Sequence, residues 1–163
     1  MENYNKRPGG QWAVANIYKW DKRYLDLAEH ISTWSKDPSR KVGAVAVGSK
    51  GQVLAQGYNG FPRGISDDDS MYENKVTKYQ YVVHAEMNCI YNATYNGTSL
   101  DGSTMYIWGL PVCSECAKGI IQVGVKRVVT KAIDNSMPER WIESTELTKA
   151  MFEEAGVIYD FIS

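Results

Sequence analysis

Two short segments decide how this chain is organised: His84-Ala85-Glu86 and Pro111-Val112-Cys113-Ser114-Glu115-Cys116. Together they supply one imidazole, two thiols and a carboxylate. Cys113 and Cys116 are three positions apart, so on the first turn of a helix their sulfur atoms lie on the same side and can bind one ion. With His84 as a third donor, the pattern predicts a Zn²⁺ site.

The predicted site has three protein ligands, whereas a structural zinc site requires four. The remaining His and Cys residues are His30 and Cys89, and Cys89 follows His84 by five positions, which places it on another helical face. We expect His30 to be an ordinary helix residue and Cys89 a buried small hydrophobe. The open position would hold a water whose pKa falls toward ~7, with Glu86 as its base.

An isolated Cys-x-x-Cys pair has other interpretations, because it can be a redox pair or a chance pairing. Redox chemistry does not explain His84 and Glu86, and a structural zinc site lacks its fourth ligand. The sequence therefore favours a catalytic zinc ion.

Composition excludes several classes of protein. The chain has 18 Lys+Arg against 19 Asp+Glu, a net charge of -1, so we expect no nucleic-acid partner. No apolar run approaches the ~20 residues of a membrane helix, and the N-terminus lacks the apolar core of a signal peptide. Three cysteines are too few for a disulfide framework. A cytoplasmic protein without a membrane partner is expected.

Apolar and turn patterns predict a flexible tail over residues 1–15 and one domain over residues 16–163. Residues 58–78 look like a long loop, of the kind that is often functional. Helices are predicted over residues 20–34, after 83, over 116–122 and from 138 to 155; strands are predicted over 42–47, 53–57, 104–108, 125–130 and 157–161. Alternating strands and helices indicate a layered α/β fold.

The sequence resembles the deoxycytidylate deaminase family within the cytidine deaminase fold group, over about residues 35–157. The H-x-E and Cys-x-x-Cys pattern is that of zinc nucleobase deaminases. The other matching segments, in order, are Ser35-Lys-Asp-Pro38, Val42-Gly-Ala44, Gly57-Tyr-Asn-Gly-Phe-Pro-Arg-Gly64, Glu73-Asn-Lys75, Lys78-Tyr79, His84-Ala-Glu-Met-Asn88, Cys116-Ala-Lys118 and Ile120-Ile-Gln122.

The resemblance implies a three-layer α/β/α fold with a mixed five-stranded sheet and one catalytic Zn²⁺ per subunit. It also implies a homohexamer that converts dCMP to dUMP and ammonia for thymidylate synthesis. By the same resemblance, dCTP would activate the enzyme and dTTP would inhibit it, with Mg²⁺ accompanying the effector triphosphate.

The resemblance also implies nucleotide contacts. Asn59 would hydrogen-bond the sugar, and the Ala85 backbone N–H would face the base carbonyl. The segment Gly57-Tyr58-Asn59-Gly60 resembles the family's effector-binding element, although glycines after a strand are also ordinary turn residues. A 5′-phosphate requires positive charge, for which the sequence offers Lys36, Arg40, Lys131 and Arg140 without ranking them.

Two positions depart from the family pattern. Val112 stands between Pro111 and Cys113, where the family has proline directly before the first cysteine, so we expect the loop that borders the base pocket to differ. Trp34 stands where many relatives carry Arg, so a phosphate or subunit contact is expected to differ as well.

Three other functions stay open at this point. A free cytidine or deoxycytidine deaminase would need no phosphate site. A polynucleotide deaminase acting on tRNA or single-stranded DNA shares the zinc motif but should show a basic surface. A regulatory nucleotide-binding protein that has lost catalysis is disfavoured by the intact Glu86.

Overall fold

The protein is described by a computed structural model that covers residues 10–132 and 137–163, with side chains from residue 16 onward. Five strands form one sheet in the order β2-β1-β3-β4-β5. The strands are β1 (Gly43–Val47), β2 (Val53–Tyr58), β3 (Thr104–Trp108), β4 (Arg127–Lys131) and β5 (Ile158–Ile162). β1 pairs antiparallel with β2 and β3, whereas β3, β4 and β5 are parallel. The predicted mixed five-stranded sheet and its first hairpin are confirmed.

Helices cover both faces of this sheet. They are α1 (Gly10–Ser32), α2 (Asp69–Glu73), α3 (Lys75–Tyr81), α4 (Ala85–Tyr95), α5 (Ser114–Gln122) and α6 (Glu139–Ala155). Successive strand residues alternate between the faces: Val45 packs with α1, whereas Ala44 and Ala46 pack with the cluster formed by α4, α5 and α6. The sheet therefore lies between two helical layers, as predicted.

A buried network of charges fixes α1 to the sheet. Arg127 of β4 binds Asp21 of α1 and Asp160 of β5, and the Tyr106 hydroxyl of β3 donates to Asp21 at 2.7 Å. Each charge in this network has an opposite partner, as buried ions require. No helix in the part of the chain that is described has the length and apolar character needed to cross a membrane.

The predicted loop over residues 58–78 is wrong in its second half, because α2 and the start of α3 lie there. Two side chains initiate these short helices: Asp68 accepts a hydrogen bond from Met71 N, and Asn74 accepts from Val76 N and Thr77 N. Such caps satisfy backbone donors that a helix start leaves unpaired. Neither helix is long enough to show a clear apolar period in the sequence.

The start of α1 also differs from prediction. The helix begins at Gly10, so residues 10–15 of the predicted tail are helical, while residues 1–9 lie outside the described part of the chain. Pro8-Gly9-Gly10 indicated a loop because proline and glycine disfavour helix interiors, yet Gly10 is the first residue of this helix. Trp34 lies just after the helix, where its backbone N–H donates a hydrogen bond to Ile31 O.

Candidate metal centre and active-site cavity

Two helices begin at the candidate metal centre. His84 is the residue before α4 and Cys113 the residue before α5, and both have extended backbone conformations. His84 Nδ1 lies 3.4 Å from Cys113 Sγ and 3.3 Å from Cys116 Sγ. The three donor atoms all lie within 4.8 Å of one another. The structure thus brings together the three predicted ligands, although 29 residues separate His84 from Cys113.

The local electrostatics favour the thiolate at Cys113. A hydrogen bond from the Cys116 thiol, together with His84, lowers the pKa of Cys113, and as the donor Cys116 has a raised pKa. Hydrogen bonding to Cys113 also raises the pKa of His84, against the effect of burial. The positive ends of the α4 and α5 dipoles lie at the site, which further favours anionic donors.

One nitrogen and two sulfur donors at this spacing fit Zn²⁺, which prefers tetrahedral N and S coordination. Elsewhere in the described residues, no other group of three potential ligands comes this close together. Cys89 lies in the core, where burial raises its pKa to about 12. His30 lies on α1, and its ring contacts that of Trp34, which follows the helix. The donor set therefore has three protein ligands, one fewer than tetrahedral zinc requires.

Glu86 lies in the first turn of α4, one residue beyond Ala85 and two beyond His84. Its side chain is buried, and this burial raises the pKa of the carboxyl group, while a hydrogen bond with Cys116 opposes the shift. A carboxyl group whose pKa is raised holds a proton more readily, which suits a group that must both accept and donate one. Its place beside the ligands suits a proton carrier.

A cavity of about 430 Å³ opens above His84, Ala85 and Glu86. This volume is in the range of small-molecule sites. Its walls come from the segments after α1 and β2, from α2 and α3, and from the start of α6. They include Asp37, Arg40, Asn59, Tyr72, Lys75, Lys78, Tyr79, Arg140 and Trp141. The residues that carry the chemistry form one end of a pocket with several cations along it.

The structure separates the candidate phosphate ligands. Arg40 and Arg140 line the cavity. Lys36 is outside the lining and pairs with Asp67 at 3.0 Å on the surface, and Lys131 lies over the Trp108 ring at 4.5 Å. Two of the four cations named from the sequence thus line the cavity, and two do not.

Asn59 borders the cavity but is already hydrogen-bonded within the protein. Its Oδ1 accepts from Val42 N at 2.9 Å, and its Nδ2 donates to Arg40 O at 2.8 Å. These bonds hold the segment that carries Arg40. A sugar contact at Asn59 would have to use its remaining acceptor capacity.

The predicted effector segment, residues 57–60, is held against α4. A Cβ atom at Gly57 would lie 2.3 Å from Cys89 N and 2.7 Å from Ala85 O, so only glycine permits this approach. Asn88 Nδ2 donates to Tyr58 O at 2.7 Å, and Gly60 exchanges two backbone hydrogen bonds with Val83. Close packing against α4 thus explains why residue 57 is glycine, which the sequence alone did not show.

Sequence reasoning missed several cavity residues, notably Tyr72, Lys78 and Trp141, because no local pattern marks them. It also placed Val112 next to the base pocket. The structure buries Val112 completely and leaves it out of the cavity lining, whereas Pro111 and Cys113 contribute to that lining. The additional residue is therefore accommodated in the core.

Comparisons with known proteins agree with this geometry. A family model for the zinc-binding region of cytidine and deoxycytidylate deaminases matches residues 18–132. Deoxycytidylate deaminase of Homo sapiens is 40% identical over 148 residues, covering 86% of this chain and 78% of that protein. An uncharacterized deaminase from the luxG 3′ region of Aliivibrio fischeri is 37% identical, covering 86% of this chain and 92% of that protein.

Solved structures extend the likeness to three dimensions. The dCMP deaminase of cyanophage S-TIM5, in complex with dCMP and dUMP, is 27% identical with a TM-score of 0.69, covering 88% of this chain and 97% of that one. The matched family region contains all three candidate ligands and Glu86. The chain is thus a hydrolytic deaminase and belongs to the cytidine and deoxycytidylate deaminase family.

Proposed function

We propose that this protein hydrolyses dCMP to dUMP and ammonia with one Zn²⁺ bound by His84, Cys113 and Cys116. The observation that carries the proposal is the buried Glu86 carboxyl group beside these three donors at one end of a nucleotide-sized cavity. The likeness to a deaminase crystallised with dCMP and dUMP supports the choice of substrate.

Zinc supplies a Lewis acid that lowers the pKa of water and so provides a nucleophile for C4 of cytosine at neutral pH. Glu86 carries the protons. It accepts one from the attacking water and delivers it to N3 of the ring. It then accepts the second proton from the new C4 hydroxyl group and passes it to the amino group, which leaves as ammonia while the C4 carbonyl forms. Its burial removes competing bulk water, and its raised pKa suits both directions of transfer. The Ala85 N–H is proposed to bind the base carbonyl.

The 5′-phosphate is proposed to bind Arg40 and Arg140. Both line the cavity, from the segment after α1 and from the start of α6. Guanidinium groups bind phosphate oxygens through paired N–H donors. Lys36, which the sequence analysis also proposed, is engaged by Asp67 outside the cavity, so we assign it no phosphate contact.

Regulation and assembly are further parts of the proposal. They comprise activation by dCTP and inhibition by dTTP, with Mg²⁺ accompanying the triphosphate, a homohexamer, and supply of dUMP for thymidylate synthesis in the cytoplasm. The support for the effector part is the resemblance of residues 57–60 to an effector element. The assembly and the supply of dUMP rest on the family resemblance as a whole. Since Gly57 and Gly60 have partners in α4 and at Val83, an effector would have to reach the exposed Tyr58 side chain and its surroundings.

The test is a comparison of substrates with the zinc-loaded protein. Ammonia release is measured from dCMP, deoxycytidine, cytidine and a cytosine-containing oligonucleotide, each with and without dCTP or dTTP and Mg²⁺. We expect dCMP to have the highest kcat/KM. Preference for a nucleoside would assign the chain to the cytidine deaminases, and preference for the oligonucleotide to the polynucleotide enzymes. Insensitivity to both triphosphates would contradict the regulatory part alone.

A further inference from the structure

The residues on either side of Cys113 are held by hydroxyl groups from the C-terminal part of the chain. Val112 N donates to the Tyr159 hydroxyl at 3.2 Å, and the Thr148 hydroxyl donates to Val112 O at 2.9 Å. Ser114 N donates to the Ser144 hydroxyl at 2.9 Å. Three backbone groups next to one metal ligand thus depend on α6 and β5.

The side chains that make these contacts lie outside the part of the chain that matches the family model. The matched model ends at residue 132, whereas α6 and β5 follow it. Thr148 is 0% exposed, and the half-buried Tyr159 packs against Phe152 and Phe161 with ring centroids 5.1 and 4.4 Å away. Rigid, buried donors and acceptors fix a backbone more closely than surface contacts do.

The position of Val112 explains why such contacts are needed. It is a buried residue outside any strand or helix, so the sheet does not pair its N–H and C=O groups. Unpaired buried backbone groups are costly and rare. Because Cys113 follows directly, the same two hydrogen bonds that satisfy Val112 also limit rotation of the backbone that carries the Cys113 sulfur.

We propose that Thr148 and Tyr159 are positioning residues of the metal centre, which hold Val112 so that Cys113 Sγ keeps its place beside His84 and Cys116. The inference rests on the metal site of the proposed function and does not depend on which nucleotide is deaminated. Residues that orient metal ligands typically change metal affinity or activity by about 10- to 100-fold when they are replaced.

The test uses conservative variants that remove one hydroxyl each: Thr148→Val, Tyr159→Phe and, for rescue, Thr148→Ser. The matched control is Thr145→Val, because Thr145 is another buried threonine of α6, and its hydroxyl donates to Trp141 O instead of to a residue next to Cys113. Each protein is stripped of metal and titrated with Co²⁺, a spectroscopic substitute for zinc, and Zn²⁺ affinity is then measured by competition with a chelator.

We expect Thr148→Val and Tyr159→Phe to bind Zn²⁺ about 10-fold or more weakly and to alter the Co²⁺–thiolate absorption bands. Thr148→Ser should restore both, and Thr145→Val should leave both unchanged even where its unfolding temperature falls. If Thr148→Val folds poorly, Tyr159→Phe carries the test. The proposal would be overturned if Thr148→Val and Tyr159→Phe both had the same metal affinities and Co²⁺ spectra as Thr145→Val. A wild-type chain that binds neither metal would overturn the metal centre itself.

Discussion

Lys78 and Asp37 form a buried ion pair at the wall of the cavity, with Lys78 Nζ 2.8 Å from Asp37 Oδ2. The pair joins α3 to the segment after α1, and both residues line the cavity. Asp37 also accepts hydrogen bonds from Ser39 N and Arg40 N. Since Arg40 is a proposed phosphate ligand, this pair fixes one side of the substrate site.

Replacing Asp37 by Asn should strongly destabilise the protein, because Lys78 is left charged and without its partner. Loss of one member of a buried pair costs roughly 3–5 kcal/mol. Burial opposes ionisation of Asp37, but hydrogen bonds from Lys78, Ser39 and Arg40 hold its pKa below the ordinary value. Its carboxylate therefore stabilises the fold above about pH 4, and this contribution is lost as the pH falls further.

Urea unfolding of the metal-free wild type and Asp37→Asn between pH 7 and pH 3 measures both effects. The difference in unfolding free energy should be constant down to about pH 5 and should narrow below pH 4. Glu115→Gln is the matched control, since Glu115 pairs with Lys118 at 2.8 Å on the surface, where such pairs contribute about 0–1 kcal/mol. A difference that does not change down to pH 3 would contradict the assignment.

Glu86→Gln should remove most of the activity while leaving the metal in place. The amide cannot accept the proton of the attacking water, and general acid–base groups typically contribute about 10²–10⁴ in rate. We expect kcat to fall by at least that factor, with the zinc content by mass spectrometry unchanged. Loss of zinc, or a rate near that of the wild type, would show that Glu86 has another role.

The three cysteines should fall into two classes. Cys113→Ser or Cys116→Ser should weaken zinc binding by more than about 100-fold, since even residues that only orient ligands account for 10- to 100-fold. Cys89→Ala should retain one zinc ion, because Cys89 lies in the core and burial raises its pKa to about 12. A thiol-reactive dye at pH 8 checks this: Cys89 should react only after unfolding.

Arg40→Ala and Arg140→Ala should each raise KM for dCMP by about 10-fold or more, the effect of losing a charge-assisted hydrogen bond. The same variants should change kcat/KM for deoxycytidine little, because that substrate has no phosphate. Lys36→Ala is the control, since Lys36 is outside the cavity lining. If kcat/KM fell equally for both substrates, the two arginines would maintain the cavity wall and would not bind the phosphate.

Gly57→Ala should destabilise the protein, because the new methyl group meets backbone atoms of α4 at 2.3 and 2.7 Å. Overpacking of this kind costs about 1–3 kcal/mol. Gly60→Ala is the matched control, since its nearest neighbours would be 3.9 Å away. Urea unfolding midpoints compare the two variants. A larger loss for Gly60→Ala would contradict the packing explanation of this segment.

The residues of the metal centre could be named from the sequence because they lie in two short motifs. The Cys113–Cys116 spacing and the neighbouring His84 and Glu86 are local features whose chemistry restricts the alternatives. The strands could be predicted because β-branched runs are bounded by glycines and turns. The same local patterns did not reveal α2, because a helix of 5 residues is too short to show an apolar period.

The cavity wall was not predictable for a physical reason. Lys78 and Asp37 are 41 positions apart, and nothing near either residue indicates that the other neutralises it. The fate of Val112 likewise depends on Tyr159, a residue 47 positions away. Spacing within a motif shows which donors can share an ion. The partners of an additional residue such as Val112 depend on how the helices pack on the sheet, which the local sequence does not show.

The close contact between α4 and α5 links the interior of the protein to its chemistry. Gly119 faces Met87, whose Sδ would lie 2.8 Å from a Cβ atom at that position. Since His84 and Cys113 directly precede these two helices, the packing of α4 against α5 fixes where both ligands begin. A larger residue at position 119 would push against Met87, which lies three positions after His84 on the helix that this ligand begins.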